Sequence, residues 1–226
     1  MAKRAKRFRA DLEKVPAEPV PLTEAVNRIK TFKDCKFDQS VELVMSLGID
    51  PRQADQRIRG SVSLPHGIGQ ARRVVAFCTE DQVAAAKEAG AVDAGGDDLV
   101  QKIEGGWMEF DVAVASPDMM RSVARLGRTL GPKGLMPSPK SGTVTPNVPE
   151  AVREYAAGKV EFNNDDGGNV HAMIGKKSFE PKQLEENAQA FIDHIMRMKP
   201  PAAKGQYLKL IAVSATMTPA VKVALS

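Results

Sequence analysis

The sequence predicts an α/β protein of two domains, one of them discontinuous. An α+β domain is assembled from residues 1–67 and 159–226, and an inserted α/β, Rossmann-like layer domain occupies residues 68–158. Three observations predict this. At 226 residues the chain exceeds the usual size of a single domain, so one large or two medium domains are expected, either with ample core. Both ends of the chain carry strands of alternating polarity and a helix with one apolar face, whereas the middle alternates short apolar strands with helices. The texture changes at Pro65-His66-Gly67-Ile68-Gly69 and changes back at Gly158. Insertions are tolerated where their two connections lie close together, and paired crossings form a natural hinge. Pro65, Gly67, Gly69 and Gly158 are therefore the expected hinge residues.

Taken in order, residues 11–21 are spaced by Pro16, Pro19 and Pro21 and predict an extended lead-in. Thr23 is the expected cap of a short helix with Val26, Ile29 and Phe32 at helical spacing and Leu22 just before the cap. The stretch Lys36–Leu47 organises the domain. Val41, Leu43, Met45 and Leu47 are apolar while Ser40, Glu42 and Ser46 between them are polar, the pattern of a strand with one buried face. On pattern alone it is an edge strand; the insertion makes it a central piece of a sheet built from both chain ends. Residues 51–60 are polar loop, and Ser61–Leu64 is a short strand.

In the middle, Arg73–Phe77 is an apolar run suited to a strand buried on both faces. Gln82–Ala89 is helical, ended by Gly90 in the left-handed conformation. Asp97–Ile103 is a second helix, Phe110–Ala115 a strand, and Pro117–Leu126 a helix with proline near its start. Beyond Gly158, Lys159–Phe162 and Asn169–Ile174 flank Asn164-Asp165-Asp166-Gly167-Gly168, a hairpin signal. Leu184, Ala188, Phe191, Ile192, Ile195 and Met198 mark one face of a helix that Pro200 and Pro201 end. Tyr207–Thr216 alternates again and is the expected last strand.

The composition, 42% apolar and 27% charged, is that of a soluble globular protein. The net charge of +4 is concentrated in residues 1–67, where 13 Lys/Arg face 9 Asp/Glu. Lys3, Arg4, Lys6, Arg7 and Arg9 crowd the N-terminus; such an arm suits phosphate contacts, or is a solvated tail. Asp11, Glu13 and Lys14 interrupt any apolar run after it, so no secretory signal is expected, and no stretch suits a membrane span. Cys35 and Cys78 lack CxxC spacing and are expected as reduced thiols of a cytosolic protein.

Catalytic signals are sparse. His66, His171 and His194 have no metal-ligand spacing, and GxSxG and GxGxxG are absent. In Leu126–Thr143, Pro132 stands where a phosphate-binding loop needs its second glycine, and proline has no N–H to offer. What remains is a cationic loop carrying Arg125, Arg128, Lys133 and Lys140, either a nucleic-acid contact or a structural excursion. Where the Tyr207–Thr216 strand leads into Ala215-Thr216-Met217-Thr218-Pro219, two hydroxyls and a thioether stand at its end. Hydroxyls can exchange hydrogen bonds with a ribose 2′-OH or a phosphate, and Met or Phe can pack on a sugar or base; capping of the strand end is the alternative. Phe37 and Ser40 raise the same possibility beside the organising strand.

At these residues the chain resembles the bacterial ribosomal protein L-one family over nearly its whole length. The motifs are Lys36-Phe37-Asp38-x-Ser40-Val41-Glu42, Leu47-Gly48-Ile49-Asp50-Pro51, Arg59-Gly60-x-Val62-x-Leu64-Pro65-His66-Gly67 and Gly106-Trp107-Met108-x-Phe110-Asp111. Leu126-Gly127-Arg128-x-Leu130-Gly131-Pro132-Lys133-Gly134-Leu135-Met136-Pro137, Lys159-Val160-Glu161-Phe162 and Thr216-Met217 follow in the same order. The resemblance implies a non-enzymatic, ribosome-associated cytoplasmic protein, monomeric when free and without cofactor or metal. Its split domain would bind large-subunit rRNA at the mobile stalk through Phe37, Ser40, Glu42, Asp165, Gly168, His171, Ser214, Thr216 and Met217. The inserted domain would reach tRNA at the exit site, and the protein would repress its own messenger RNA. A nucleotide-binding enzyme built on the inserted domain is the rival reading. Two positions depart from the family pattern: Thr218 follows Thr-Met where glycine is common, and Asp166 stands where a basic residue is frequent.

Overall fold

The computed structural model describes residues 5–225, so Lys3 and Arg4 of the basic N-terminus lie outside the described residues. In chain order the elements are α1 (Lys6–Leu12), α2 (Leu22–Thr31), β1 (Ser40–Leu47), β2 (Arg59–Val62), β3 (Val74–Phe77), α3 (Glu80–Glu88), β4 (Asp93–Gly95) and α4 (Asp97–Glu104). There follow β5 (Val112–Ala115), α5 (Met120–Val123), α6 (Gly127–Leu130), α7 (Val148–Ala156), β6 (Val160–Asn163), β7 (Asn169–Lys176), α8 (Pro181–Arg197), β8 (Leu208–Ala215) and β9 (Val221–Val223). The content is mixed α/β. Contacts divide the chain into two compact units, one drawn from the chain up to Gly69 and from Val160 onward, the other Gln70–Lys159.

The unit drawn from both ends holds a four-stranded antiparallel sheet in the order β7-β1-β8-β9. The organising strand is therefore internal, with a neighbour on each edge. Its alternation does what the period of two dictates: Val41, Leu43, Met45 and Leu47 are buried. They share one core with Ala25, Val26 and Ile29 of α2 and Leu184, Ala188, Phe191 and Ile195 of α8. Helices thus cover one face of the sheet and leave the other to solvent. Tyr207, buried, donates its hydroxyl to the Ile195 carbonyl at 3.1 Å, and burial pushes its pKa up to about 12.

Several elements differ from the sequence expectation. Residues 11–21 are not extended throughout, because α1 runs to Leu12. Thr23 is not the cap of α2: the helix starts at Leu22 behind Pro21, and the Thr23 hydroxyl donates to the Glu185 carboxylate of α8 instead. The chain around Asn164–Gly168 does turn, but its two strands do not form a hairpin. β6 pairs with β2 in a separate two-stranded sheet, β7 pairs with β1, and pairing across the turn is reduced to an antiparallel Asn164–Val170 bridge. β8 is not the last strand, since β9 adds along its far edge. Within the expected Pro117–Leu126 helix only α5 is α-helical, a 3-10 turn over Ala124–Leu126 follows it, and α6 lies beyond.

The expected hinge residues Pro65, Gly67 and Gly69 sit on a packed turn. Gly67 and Gly69 take φ of 62° and 70°, as does Gly158 with 103°, a region glycine enters without a Cβ penalty. A Cβ on Gly69 would lie 2.6 Å from a Phe179 ring carbon. Ile68 between them is 1% exposed. Asn187 of α8, fully buried, accepts from the His66 N–H at 3.0 Å and donates to the Gly67 and Ile174 carbonyls at 2.9 and 2.8 Å. One amide thereby fixes the turn and the last part of β7 to the helix.

The second unit holds a parallel three-stranded sheet in the order β4-β3-β5. Every residue of β3 and β5 is buried, as a strand covered on both faces requires. Val74, Ala76, Val112 and Val114 pack against Ala86 of α3 and Val148, Val152 and Tyr155 of α7, a helix the sequence reading did not single out. On the other face Val75, Phe77 and Ala113 meet Leu99, Val100 and Ile103 of α4 and Val123, Leu126 and Leu130. The glycine-rich stretch is closed on itself: the Thr143 hydroxyl accepts from the Ser138 N–H at 2.8 Å and donates to its carbonyl at 3.1 Å.

Candidate nucleic-acid interface

The solvent face of the four-stranded sheet gathers most of the residues singled out in the sequence. Cross-strand register sets them in rows. Met173, Glu42 and Ser214 stand side by side across β7, β1 and β8, and His171, Val44, Ala212 and Lys222 form the next row. Ser40 lies beside Lys176 in the row before, with Thr216 just past the end of β8. From Ser40 to Ser46 the face is about 20 Å long, and β7 to β8 spans about 10 Å. That is a surface on which Ser40, Glu42, His171, Ser214 and two lysines stand among the smaller apolar Val44 and Ala212.

One end of the face is built around a clasp between β1 and the end of β8. The Thr216 N–H donates to the Ser40 carbonyl at 2.9 Å, and the Thr216 hydroxyl accepts from the Ser40 N–H at 3.1 Å. Gln39, 1% exposed, donates its amide to the Thr216 carbonyl at 2.6 Å. Lys176 Nζ donates to the Ser40 hydroxyl at 2.9 Å, which places a cation at the strand's start. Phe37 and Met217 stand proud of this end, 52% and 66% exposed.

Met217 is the one non-glycine residue with positive φ among the described residues, at 64°. A side chain there is strained, and such strain persists only where neighbours hold it. Thr218 does the holding: buried in the turn, it accepts from the Ala215 N–H at 3.0 Å and donates to the Ala215 carbonyl at 2.9 Å. The departure at Thr218 therefore points inward and leaves Met217 on the surface.

The other end of the face is the Asn164–Gly168 turn. The Asp165 carboxylate accepts from the Gly167 N–H at 2.9 Å, the Asn169 N–H at 2.7 Å and the Asn169 side-chain amide at 3.0 Å. These bonds, the Asn169 side chain foremost, hold its pKa below the ordinary carboxylate value. His171 lies 3.6 Å from it, half-exposed. Gly168 is buried: its N–H goes to the Asp165 carbonyl, its carbonyl accepts from Leu47, and a Cβ would press on Leu47 and Ile49. Asp165 and Gly168 thus shape the turn, while exposed Asp166 and His171 face outward.

A depressed carboxylate stabilises the fold above its unfolded pKa, and that contribution is lost as pH falls through the folded value. Asp165→Asn is expected to flatten the pH dependence of stability below about pH 4, measured by urea denaturation in acid.

Arg125, Arg128, Lys133 and Lys140 belong to the other unit, so the structure does not bring them into this face. All four are exposed and carry no ion pair among the described residues. In the same unit a cleft of about 670 Å³ opens where β3 and β4 end, lined by Glu80, Asp93, Asp97 and Asp98 against Lys102. Asp97 and Asp98 already occupy the positive end of α4, so the cleft repels a nucleotide's phosphates. No group of His, Cys, Asp and Glu suited to a metal ion occurs among the described residues, nor a helix long and apolar enough to cross a membrane.

Lys176 and Lys222 are cations of the sheet face that the sequence reading missed. Lys222 lies on β9, which was not anticipated; Lys176 follows an apolar run, and nothing in sequence sets it beside Ser40.

A two-stranded clasp at one end of a solvent-facing sheet, with the Lys176 cation held beside it, is the geometry of a binding surface. Comparison with known sequences gives the family. Residues 29–219 match the ribosomal protein L1p/L10e family. The large ribosomal subunit protein uL1 of Rhodopirellula baltica is 59% identical over 224 residues, 99% of this chain and all of that one. The proteins of the same name from Nocardioides sp. and Thermus thermophilus are 50% and 48% identical, covering 97% and 99% of this chain and 92% and 98% of theirs. The chain belongs to the ribosomal protein L1p/L10e family, a family of structural, ribosome-associated proteins of the cytoplasm and not of enzymes.

Proposed function

We propose that this protein is a structural constituent of the large ribosomal subunit that binds large-subunit rRNA through the solvent face of its four-stranded sheet. The observation that carries the reading is the polar face ending in the Ser40–Thr216 clasp, with Phe37 and Met217 exposed beside it. RNA helices display 2′-hydroxyls and base edges in a wide, shallow groove, which suits a flat surface of Ser40, Glu42, His171 and Ser214. Glu42 can only accept hydrogen bonds when ionised, so it faces ribose or base donors and not phosphate. Lys176 and Lys222 supply the phosphate contacts. Asp165 and Gly168 act by shaping the turn that presents His171.

On this reading the two units form a discontinuous domain, residues 1–67 and 159–226, and an inserted one, residues 68–158. The exposed Arg125, Arg128, Lys133 and Lys140 face tRNA leaving the exit site at the mobile stalk. Relative motion arises at the two chain crossings between them, with Pro65, Gly67, Gly69 and Gly158 as the hinge residues. Because the clasp recognises RNA shape, a messenger segment that mimics the rRNA site binds too, which makes the protein a repressor of its own messenger.

Filter binding to large-subunit rRNA tests the site. Phe37→Ala and Ser214→Ala together are expected to weaken binding about tenfold or more without moving the melting temperature. The salt dependence should be shallow, set by a handful of phosphate contacts. Wild-type affinity in the double variant would remove the sheet face from the interface.

A further inference from the structure

We propose that helix α1 and the Met217 turn form a pocket for one unstacked nucleotide of the RNA, an inference that rests on the RNA-binding reading of the sheet face. A cavity of about 380 Å³ lies between them, lined by Ala5, Arg7, Phe8 and Met217. The helix is fastened at this spot. Asp11 is 1% exposed and accepts from the Lys33 N–H at 3.2 Å. The Arg7 guanidinium donates to Cys35 Sγ at 2.7 Å and to the Met217 carbonyl at 3.2 Å, tying the helix to the strained turn.

The walls select the occupant. The Phe8 ring and the Met217 thioether offer apolar surfaces on which a base can stack, and the Arg7 guanidinium plane adds a cationic one. Lys6 and Arg9, which flank Arg7 and Phe8 in α1, and Lys36, next in the chain to Cys35, are exposed and make no ion pair among the described residues. The only acid of α1, Asp11, is buried, so the helix shows solvent no negative charge. An apolar slot with Arg7 in its wall, on a helix whose exposed charges are all positive, complements a flat base joined to phosphate. The basic arm, for which the sequence left phosphate contact and a solvated tail both open, becomes a third element of the interface, continuous with it through Met217.

The test uses the full chain and deproteinised large-subunit rRNA from the same cells. Phe8→Ala and Met217→Ala are each expected to weaken binding about tenfold, the loss typical of one stacked base. Their double variant should lose little more, because both walls serve one base. Chemical probing should show one nucleotide losing protection while the rest of the footprint persists. Phe8→Leu keeps apolar volume without the ring, and is expected to keep the wild-type melting temperature yet show the same single-nucleotide loss. Binding within twofold of wild type with unchanged protection in all these variants would overturn the pocket, and would leave its walls for a protein neighbour. Failure of the wild-type chain itself to bind the rRNA would instead overturn the reading on which the pocket rests.

Discussion

Replacing Asn187 by Leu is expected to destabilise the fold by about 2–5 kcal/mol, the largest single-site effect foreseen. The side chain is fully buried and satisfies three backbone groups, the His66 N–H and the Gly67 and Ile174 carbonyls. Leucine of similar volume would fill the space and strip the buried Ile174 carbonyl, and the part-buried Gly67 carbonyl and His66 N–H, of this partner. A buried group stripped of its partner costs far more than the net gain from making the bond, because it has lost water as well. Gln189→Leu, two residues along the same helix on its exposed side, is expected to change stability by no more than about 0.5 kcal/mol. Urea denaturation supplies the magnitudes. Hydrogen exchange supplies the location: residues 64–69 and 170–176 should lose protection first in Asn187→Leu.

Thr216→Val carries the second large effect, and it reaches function. The valine would remove the hydroxyl that accepts from the Ser40 N–H and leave that part-buried donor unpaired, at a cost of about 1–3 kcal/mol. It would also loosen the junction at which β1 and the end of β8 present Phe37 and Met217. Affinity for large-subunit rRNA is expected to fall about tenfold, and Thr216→Ser should restore both stability and binding. Lost binding with unchanged stability would mean that the hydroxyl is spent on the RNA and not on Ser40. The sequence alone suggested that direct role; the geometry commits the oxygen to the backbone of its neighbour.

How much was legible follows from where the information lies. The buried face of β1 was plain, because Val41, Leu43, Met45 and Leu47 repeat with the period of a pleated strand. The wholly apolar β3 and β5 were equally plain. The hairpin was misread for a physical reason. Asn164–Gly168 carries the turn chemistry, with Asp165 accepting from Gly167 and Asn169, and that chemistry is local. Whether the strands on either side then pair together or part to join β2 and β1 depends on residues a hundred positions away. Thr23 failed as a cap because its hydroxyl found Glu185, again a distant partner. Strand β9, three residues long, gives too little periodicity to detect, and Lys222 was lost with it.

The candidate site divides the same way. Phe37, Ser40, Glu42, Ser214 and Met217 could be named from residue type and place on a strand, helped by family resemblance. Their assembly into rows, the clasp between Ser40 and Thr216, and the cations Lys176 and Lys222 are products of register. Arg7 and Phe8 were visible only as part of a charged tail, since nothing in sequence says that Arg7 reaches Met217.

The central claim is that the exposed face of the β7-β1-β8-β9 sheet, and not its helix-covered side, meets large-subunit rRNA. Site-specific photocrosslinking in purified ribosomes tests it most directly, with probes at Phe37, Ser214 and Met217 and a control at Gln189 on α8. Crosslinks are expected from the first three positions to one contiguous region of large-subunit rRNA and none from the control. Crosslinks from Gln189 alone, with Phe37, Ser214 and Met217 silent or joined to protein, would contradict it.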